Sequence, residues 1–231
     1  MATVLLVRHG RTAANADGGL AGRSPVPLDE VGRAQAVALG ARLRPLPLAA
    51  VVSSPLPRCR ETLALALPGA EVTVEEGLTE CGYGDWQGRP LKQLTEDPLW
   101  PVVQQHPSAV RFPGAEGESM AGMAARAVAS VRAWDDRVTQ AHGADALWLA
   151  CSHGDVIKAV VADALGLHLD LFQRIVVEPA SVTVIRYTPT RPFLLRLGDT
   201  GDLRFEPAAG EPSEAVVGGG AGATRGGSVG A

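Results

Sequence analysis

Apolar residues arrive along this chain in two rhythms, and the switching between them predicts its elements. The first is a short unbroken run, Val4-Leu5-Leu6-Val7, which follows Thr3 and stops abruptly at Arg8-His9-Gly10. Continuous β-favouring bulk of this length predicts a strand covered on both faces, with polar side chains delivered to its end. Similar runs at 48–53 and 146–151 predict two more buried strands, closed by Ser54-Pro55 and by Ser152-His153-Gly154.

The second rhythm is helical. Val31, Ala34, Ala38 and Leu39 recur at helical spacing behind Asp29, a capping residue, and Glu30, an acid suited to the first turn. Pro45 and Pro47 end that helix near Arg44. Helices are also expected over 58–67 and over 155–165, the latter closing at Gly166. The longest, over 118–142, places Met120, Met123, Ala127, Val131 and Trp134 on one face, so its methionines read as core. Shorter strands are expected at 72–75, 182–187 and 193–197, with Pro192 favouring an edge for the last.

Three stretches break both rhythms. Residues 11–27 are polar and rich in Gly and Pro, a loop over the first strand's end. The glycines within 78–88 oppose regular structure there, and prolines at 90, 98, 101, 107 and 113 permit only short helices up to 117, an insertion or lid. From Pro207 onward Gly and Ala dominate, so 207–231 is expected to be a disordered tail behind one domain spanning 1–206. Repeated strand, polar turn and helix make that domain α/β.

Composition narrows the possibilities. The 231 residues, 46% hydrophobic and 20% charged, can build one sizeable core. A net charge of -4 offers no global attraction for nucleic acid or an anionic membrane, yet leaves room for a local basic pocket and a small anionic substrate. Arg8 interrupts the first apolar run, no signal peptide is evident, and no apolar stretch approaches a membrane span, so a soluble cytoplasmic protein is expected. Cys59, Cys81 and Cys151 are odd in number and lack metal-type spacing, and they read as reduced, packed thiols. Oligomeric state stays open, a dimer included.

Two predicted strands that each end in His-Gly, one after an arginine and one after a serine, make a specific pattern. With it, the chain resembles the histidine phosphatase superfamily, in the branch of cofactor-dependent phosphoglycerate mutase and its phosphatase relatives. Arg8-His9-Gly10-Arg11-Thr12 with Asn15 is similar to the family's opening motif, and Leu28, Gly32 and Gln35 to the start of its first helix. Ser53-Ser54-Pro55-Leu56-Pro57-Arg58 with Thr62 resembles the second motif, Leu78-Thr79-Glu80 with Gly84, Trp86 and Gly88 the acid-bearing loop, and Ser152-His153-Gly154 the last. The resemblance implies a three-layer α/β/α sandwich on a mixed, mostly parallel sheet, with a small lid insertion. One departure is Pro113-Gly114-Ala115-Glu116-Gly117-Glu118-Ser119, where either glutamate could match the family's; an arginine eight residues on, Arg126, favours Glu118.

By this resemblance His9 is the nucleophile and Glu80 the proton donor to the leaving alcohol. Phosphoryl transfer needs clustered positive charge for the non-bridging oxygens. Arg8 and Arg58 are suited to that by their forked donors, His153 adds another, and Asn15 and Gly154 complete the substrate-binding set. Arg23 is a candidate for the rim or a solvated loop residue, and His106, His142 and His168 are taken as surface residues. The resemblance implies no metal and no cofactor. The leading expectation is a metal-independent phosphatase for a small phosphorylated metabolite; a phosphomutase using the same residues and an inactive phosphate-binding scaffold are the alternatives.

Overall fold

The computed structural model describes residues 1–201, so the Gly/Ala-rich segment expected to be disordered lies outside the described residues. Six strands form one mixed sheet: β1 (Thr3–Arg8), β2 (Leu48–Ser53), β3 (Thr73–Val74), β4 (Leu147–Ser152), β5 (Val182–Arg186) and β6 (Phe193–Asp199). Their order is β3-β2-β4-β1-β5-β6, parallel from β3 to β1 and antiparallel across β5 and β6. The helices are α1 (Ala13–Ala16), α2 (Glu30–Leu43), α3 (Pro57–Ala66), α4 (Leu91–Leu94), α5 (Trp100–Gln105), α6 (Met120–His142) and α7 (Gly154–Ala164).

The unbroken apolar runs are explained by two cores. Val4 and Leu6 of β1 point with Trp148 and Ala150 of β4 to the side covered by α6 and α7. Leu5 and Val7 point with Leu149 and Cys151 to the side covered by α2 and α3, where Leu39, Leu43 and Leu63 close over them. Successive side chains of a strand alternate faces, so a strand clad on both sides has no polar alternate. One buried polar anchor fastens the first core: Asp135 of α6 accepts from Trp148 Nε1 at 3.2 Å and from the Ala2 backbone N–H at 3.1 Å, and burial pushes its carboxyl up.

The departures from expectation are local. Helix α6 starts at Met120, because Ser119 caps it by accepting from Gly122 N–H at 3.1 Å. The loop after β1 contains one helical turn, α1, held by a capping box in which Thr12 and Asn15 serve each other's backbone N–H. A 3₁₀ helix, Leu169–Arg174, also forms where none was expected. Gly10 is required by crowding: a Cβ there would stand 2.5 Å from the Gly32 carbonyl oxygen of α2.

Candidate active site

Strands β1, β2 and β4 are parallel neighbours in matched register, Arg8 beside Ser152 and Ser53 beside Cys151, so their C-terminal ends meet at one sheet edge. Ligands of α/β sheets gather at such edges. The residues that follow β1 and β4 are His9 and His153, whose ring centroids lie 5.2 Å apart at a 60° tilt.

His9 is 3% exposed, and its two nitrogens have different partners. Nδ1 lies 2.7 Å from the Gly10 carbonyl oxygen, which can only accept, so Nδ1 carries the proton. Arg58 Nε donates to Nε2 across 3.1 Å, which leaves the lone pair on Nε2. Burial, then the charges of Arg58 and Arg8, hold the ring well below the usual histidine range and therefore neutral.

The two guanidiniums are held by neutral acceptors. Arg58 donates to the carbonyls of Gly22 at 2.7 Å and Ser24 at 3.1 Å in the loop over β1, and Thr62 ties the backbones together by accepting from Gly10 N–H and donating to the Arg58 carbonyl. Arg8 donates to the Val177 carbonyl at 2.6 Å, and its Nε is buried without a partner. The site therefore concentrates positive charge with a donor to spare, which favours an anion.

Glu80 follows the first 3₁₀ helix, Glu76–Leu78, and is 8% exposed with Oε1 accepting from the Cys81 N–H at 2.9 Å. Burial, then the Asp155 carboxylate, push its carboxyl up to about 7, against the opposing pull of Cys81 N–H and the two arginines. Its backbone carbonyl accepts from Arg23 and from Arg126, each at 3.1 Å. Both arginines are gripped by Glu118: Arg126 binds it bidentately at 2.7 and 2.9 Å, and Arg23 at 3.0 Å. Glu118, the glutamate that the resemblance favoured, is the one paired with Arg126, while Glu116 is exposed. Arg23 does not line the cavity; its partly exposed side chain joins the clamp behind Glu80.

Arg8, His9, Asn15, Arg58, Glu80 and Gly154 line one cavity of 320 Å³. Asn15 reaches it from α1, with its Oδ1 accepting from the Thr12 N–H at 3.1 Å and hydroxyl at 3.0 Å. His153 is not on the wall. It lies fully buried behind, Nε2 at 2.7 Å from Ser54 Oγ and 3.5 Å from Cys59 Sγ, held neutral by burial and the neighbouring charges. The three cysteines are buried and free, and burial pushes the Cys81 and Cys151 thiols up, which makes them packing groups. His106, His142 and His168 are exposed, as expected.

Sequence reasoning missed a polar cluster of the cavity, Tyr83, Asp155 and Lys158. Tyr83 donates its hydroxyl to Asp155 Oδ2 at 2.8 Å, and Lys158 pairs with Asp155 Oδ1 at 3.4 Å. The available signal was position: Asp155 and Lys158 are one turn apart on the helix that His153 caps, so both project beside the same strand end.

Residues 4–200 match the model of the histidine phosphatase superfamily (branch 1), and the chain belongs to that superfamily. It is 33% identical over 176 residues to glucosyl-3-phosphoglycerate phosphatase of Mycolicibacterium vanbaalenii, covering 72% of this chain and 76% of that one. It is 28% identical over 183 residues to 2,3-bisphosphoglycerate-dependent phosphoglycerate mutase 2 of Gloeobacter violaceus, covering 77% and 82%. Among solved structures, Bacillus stearothermophilus YhfR superposes with a TM-score of 0.76 at 29% identity, over 86% of this chain and 98% of that one.

Proposed function

We propose that this enzyme is a metal-independent phosphatase that hydrolyses small phosphomonoesters through a phosphohistidine on His9 Nε2. The observation that carries the reading is the neutral His9 ring with its lone pair beside two guanidiniums whose bonds go to carbonyls and to that ring. The ester dianion binds Arg8 and Arg58, with Arg58 Nε passing from the ring nitrogen to a phosphoryl oxygen, and Asn15 adds a neutral donor. His153, behind the wall and bonded to Ser54, backs the His9 ring without reaching the ester in this arrangement. His9 Nε2 attacks phosphorus, the P–O bond to the alcohol breaks, and protonated Glu80 gives its proton to the departing oxygen. Ionised Glu80 then takes a proton from water, whose oxygen attacks phosphorus. The P–N bond breaks, phosphate leaves, and Glu80 is again protonated.

The mutase alternative keeps the phosphoryl group and returns it to substrate, which requires cations for a second anionic end. Arg89 of the insertion is instead paired with Asp97 at 3.8 Å, while Lys92 and Arg111 are exposed and absent from the cavity wall. Among the described residues no helix is long and apolar enough to cross a membrane, and we read the cytoplasm as the working compartment.

The test is phosphate release from a panel of phosphomonoesters in the presence of a chelator, with 3-phosphoglycerate and its bisphosphate primer as the mutase control. Hydrolysis surviving chelation, blocked by vanadate, and lost together with the labelled phosphoenzyme in His9→Ala is the expected outcome. Primer-dependent isomerisation with little phosphate released would replace the phosphatase reading by the mutase one.

A further inference from the structure

The cavity's charges close on a single phosphoryl group. Its cations are Arg8, Arg58 and Lys158, and its carboxyl groups are Glu80 and Asp155. Lys158 is already paired with Asp155 and also donates to Gln173 at 3.2 Å, so that pair is neutral as a unit. Glu80 is protonated below about pH 7. Arg8 and Arg58 are left to balance one phosphomonoester dianion, whose second ionisation falls near pH ~6. A second anion on the same substrate would find no unpaired cation beyond those two on this wall, because it would have to displace Asp155 from Lys158.

The wall also carries four aromatic side chains beside the aliphatic Leu20, Leu91, Val103 and Met120. Tyr83 packs edge-on against Phe112 with centroids 5.0 Å apart, Phe112 meets Trp86 at 5.5 Å, and Trp86 and Trp100 stack at 6.2 Å with 29° between planes. Trp86 commits its Nε1–H to Asp97 at 3.1 Å, a residue outside the cavity lining, so it offers the cavity no polar donor. Trp100 is half-buried on α5, an open platform beside the neutral amide of Gln104. Aromatic surfaces favour offset or edge contact with a flat ring over a flexible chain. At 320 Å³ the cavity lies near the lower end of small-molecule sites, roughly 300–1,000 Å³, which suits one ring system beside a phosphoryl group.

We infer that the alcohol released by this enzyme carries a flat, uncharged ring seated against Trp86, Trp100 and Phe112, and that Asp155 excludes alcohols bearing a second anion. The inference rests on the phosphatase reading and names its substrate class: monophosphates of ring-bearing neutral alcohols, as opposed to phosphorylated carboxylic acids. Asp155 acts here as a specificity-determining residue, and Trp100 as the ring's platform.

The experiment compares kcat/KM for n-propyl, benzyl, 2-naphthylmethyl, 4-carbamoylbenzyl and 4-carboxybenzyl phosphates, all primary alkyl esters of similar leaving-group demand. The naphthylmethyl ester should exceed the propyl ester by about tenfold or more, and the carbamoyl ester should exceed the carboxylate by a similar factor, given that a ring contact and a charge repulsion each supply that much. Trp100→Ala and Trp100→Leu should both collapse the first ratio, and Asp155→Asn should collapse the second. Because each is a ratio within one enzyme, any effect of a variant on Glu80 or His9 cancels. Equal use of all five esters, a preference for the carboxylate, or ratios unmoved by these variants would overturn the inference alone. Phosphate release from none of them, nor from any other monoester, would overturn the phosphatase reading and the inference with it.

Discussion

Arg58 Nε donates to His9 Nε2 across 3.1 Å, so in the free enzyme the lone pair proposed to attack phosphorus is held by the same guanidinium that is proposed to bind the incoming phosphate. In the proposed mechanism, substrate entry exchanges one acceptor for another at a single donor, and the ring is freed as the phosphoryl group arrives. The arrangement also keeps the ring in one tautomer, since Nδ1–H is committed to the Gly10 carbonyl.

Arg58→Lys should therefore lower kcat/KM by about 10² to 10³, the usual cost of removing an oriented donor to developing charge. An ammonium cannot fork, and it cannot reach Gly22, Ser24 and a phosphoryl oxygen together. Single-turnover labelling of His9 measures the loss, with thermal unfolding as a check that the fold survives. Labelling at the original rate would remove Arg58 from the phosphate site.

Glu80 sets the pH response. Its carboxyl stands at about 7 in the free enzyme, and as the proposed acid it must be protonated to expel the alcohol, so kcat/KM should fall tenfold per pH unit above about 7. His9 is held well below its usual range and stays neutral throughout, so it adds no loss near neutrality on the acid side. Ionisation of the ester near ~6 sets the acid limb instead. In Glu80→Gln the alkaline limb should vanish from the residual activity. An alkaline limb that persists unchanged in that variant would assign it to another group.

The same variant separates acid catalysis from binding. Glu80→Gln should slow hydrolysis of alkyl phosphates far more than that of p-nitrophenyl phosphate, whose phenolate departs without a proton. The comparison is a leaving-group plot of kcat for the variant against the parent. Parallel lines would deny Glu80 its role as acid.

The clamp behind Glu80 should show as a positioning effect. Arg126 and Arg23 hold the Glu80 carbonyl, and Glu118 holds both arginines, so Glu118→Gln should lower kcat by about tenfold while KM changes little. Arg126→Lys should restore only part of what Arg126→Ala loses, because the bidentate grip on Glu118 is gone. A matching rise in KM without change in kcat would show that the clamp shapes binding instead.

Much of this architecture was legible in order along the chain. The buried runs at β1, β2 and β4 announce themselves because strands clad on both faces have no polar alternate, and the capping residue Asp29 with Pro45 brackets α2 to within a residue or two. Helix α1 was hidden because it is one turn long, held by Thr12 and Asn15 rather than by an apolar face. The choice of Glu118 comes through the resemblance, from the arginine eight residues on, and its pairing with that Arg126 is what the structure adds. The use of Arg23 in the same clamp could not be inferred, since it lies 95 residues from Glu118 and nothing local links them.

What the sequence by itself determined is the set of local decisions: which runs become strands, where helices start, and which residue types stand at the strand ends. These follow from side-chain periodicity and backbone preference, which act over a few residues. What the tertiary structure decided is which of those ends become neighbours and what surrounds them. Parallel pairing of β1 with β4 sets His9 against His153, and the loop over β1 buries Arg58 against carbonyls. The helix after β4 sets Asp155 close enough to Glu80 to help hold a proton on it near neutrality. Those effects depend on distance and exclusion of water, and neither exists until the chain has closed on itself.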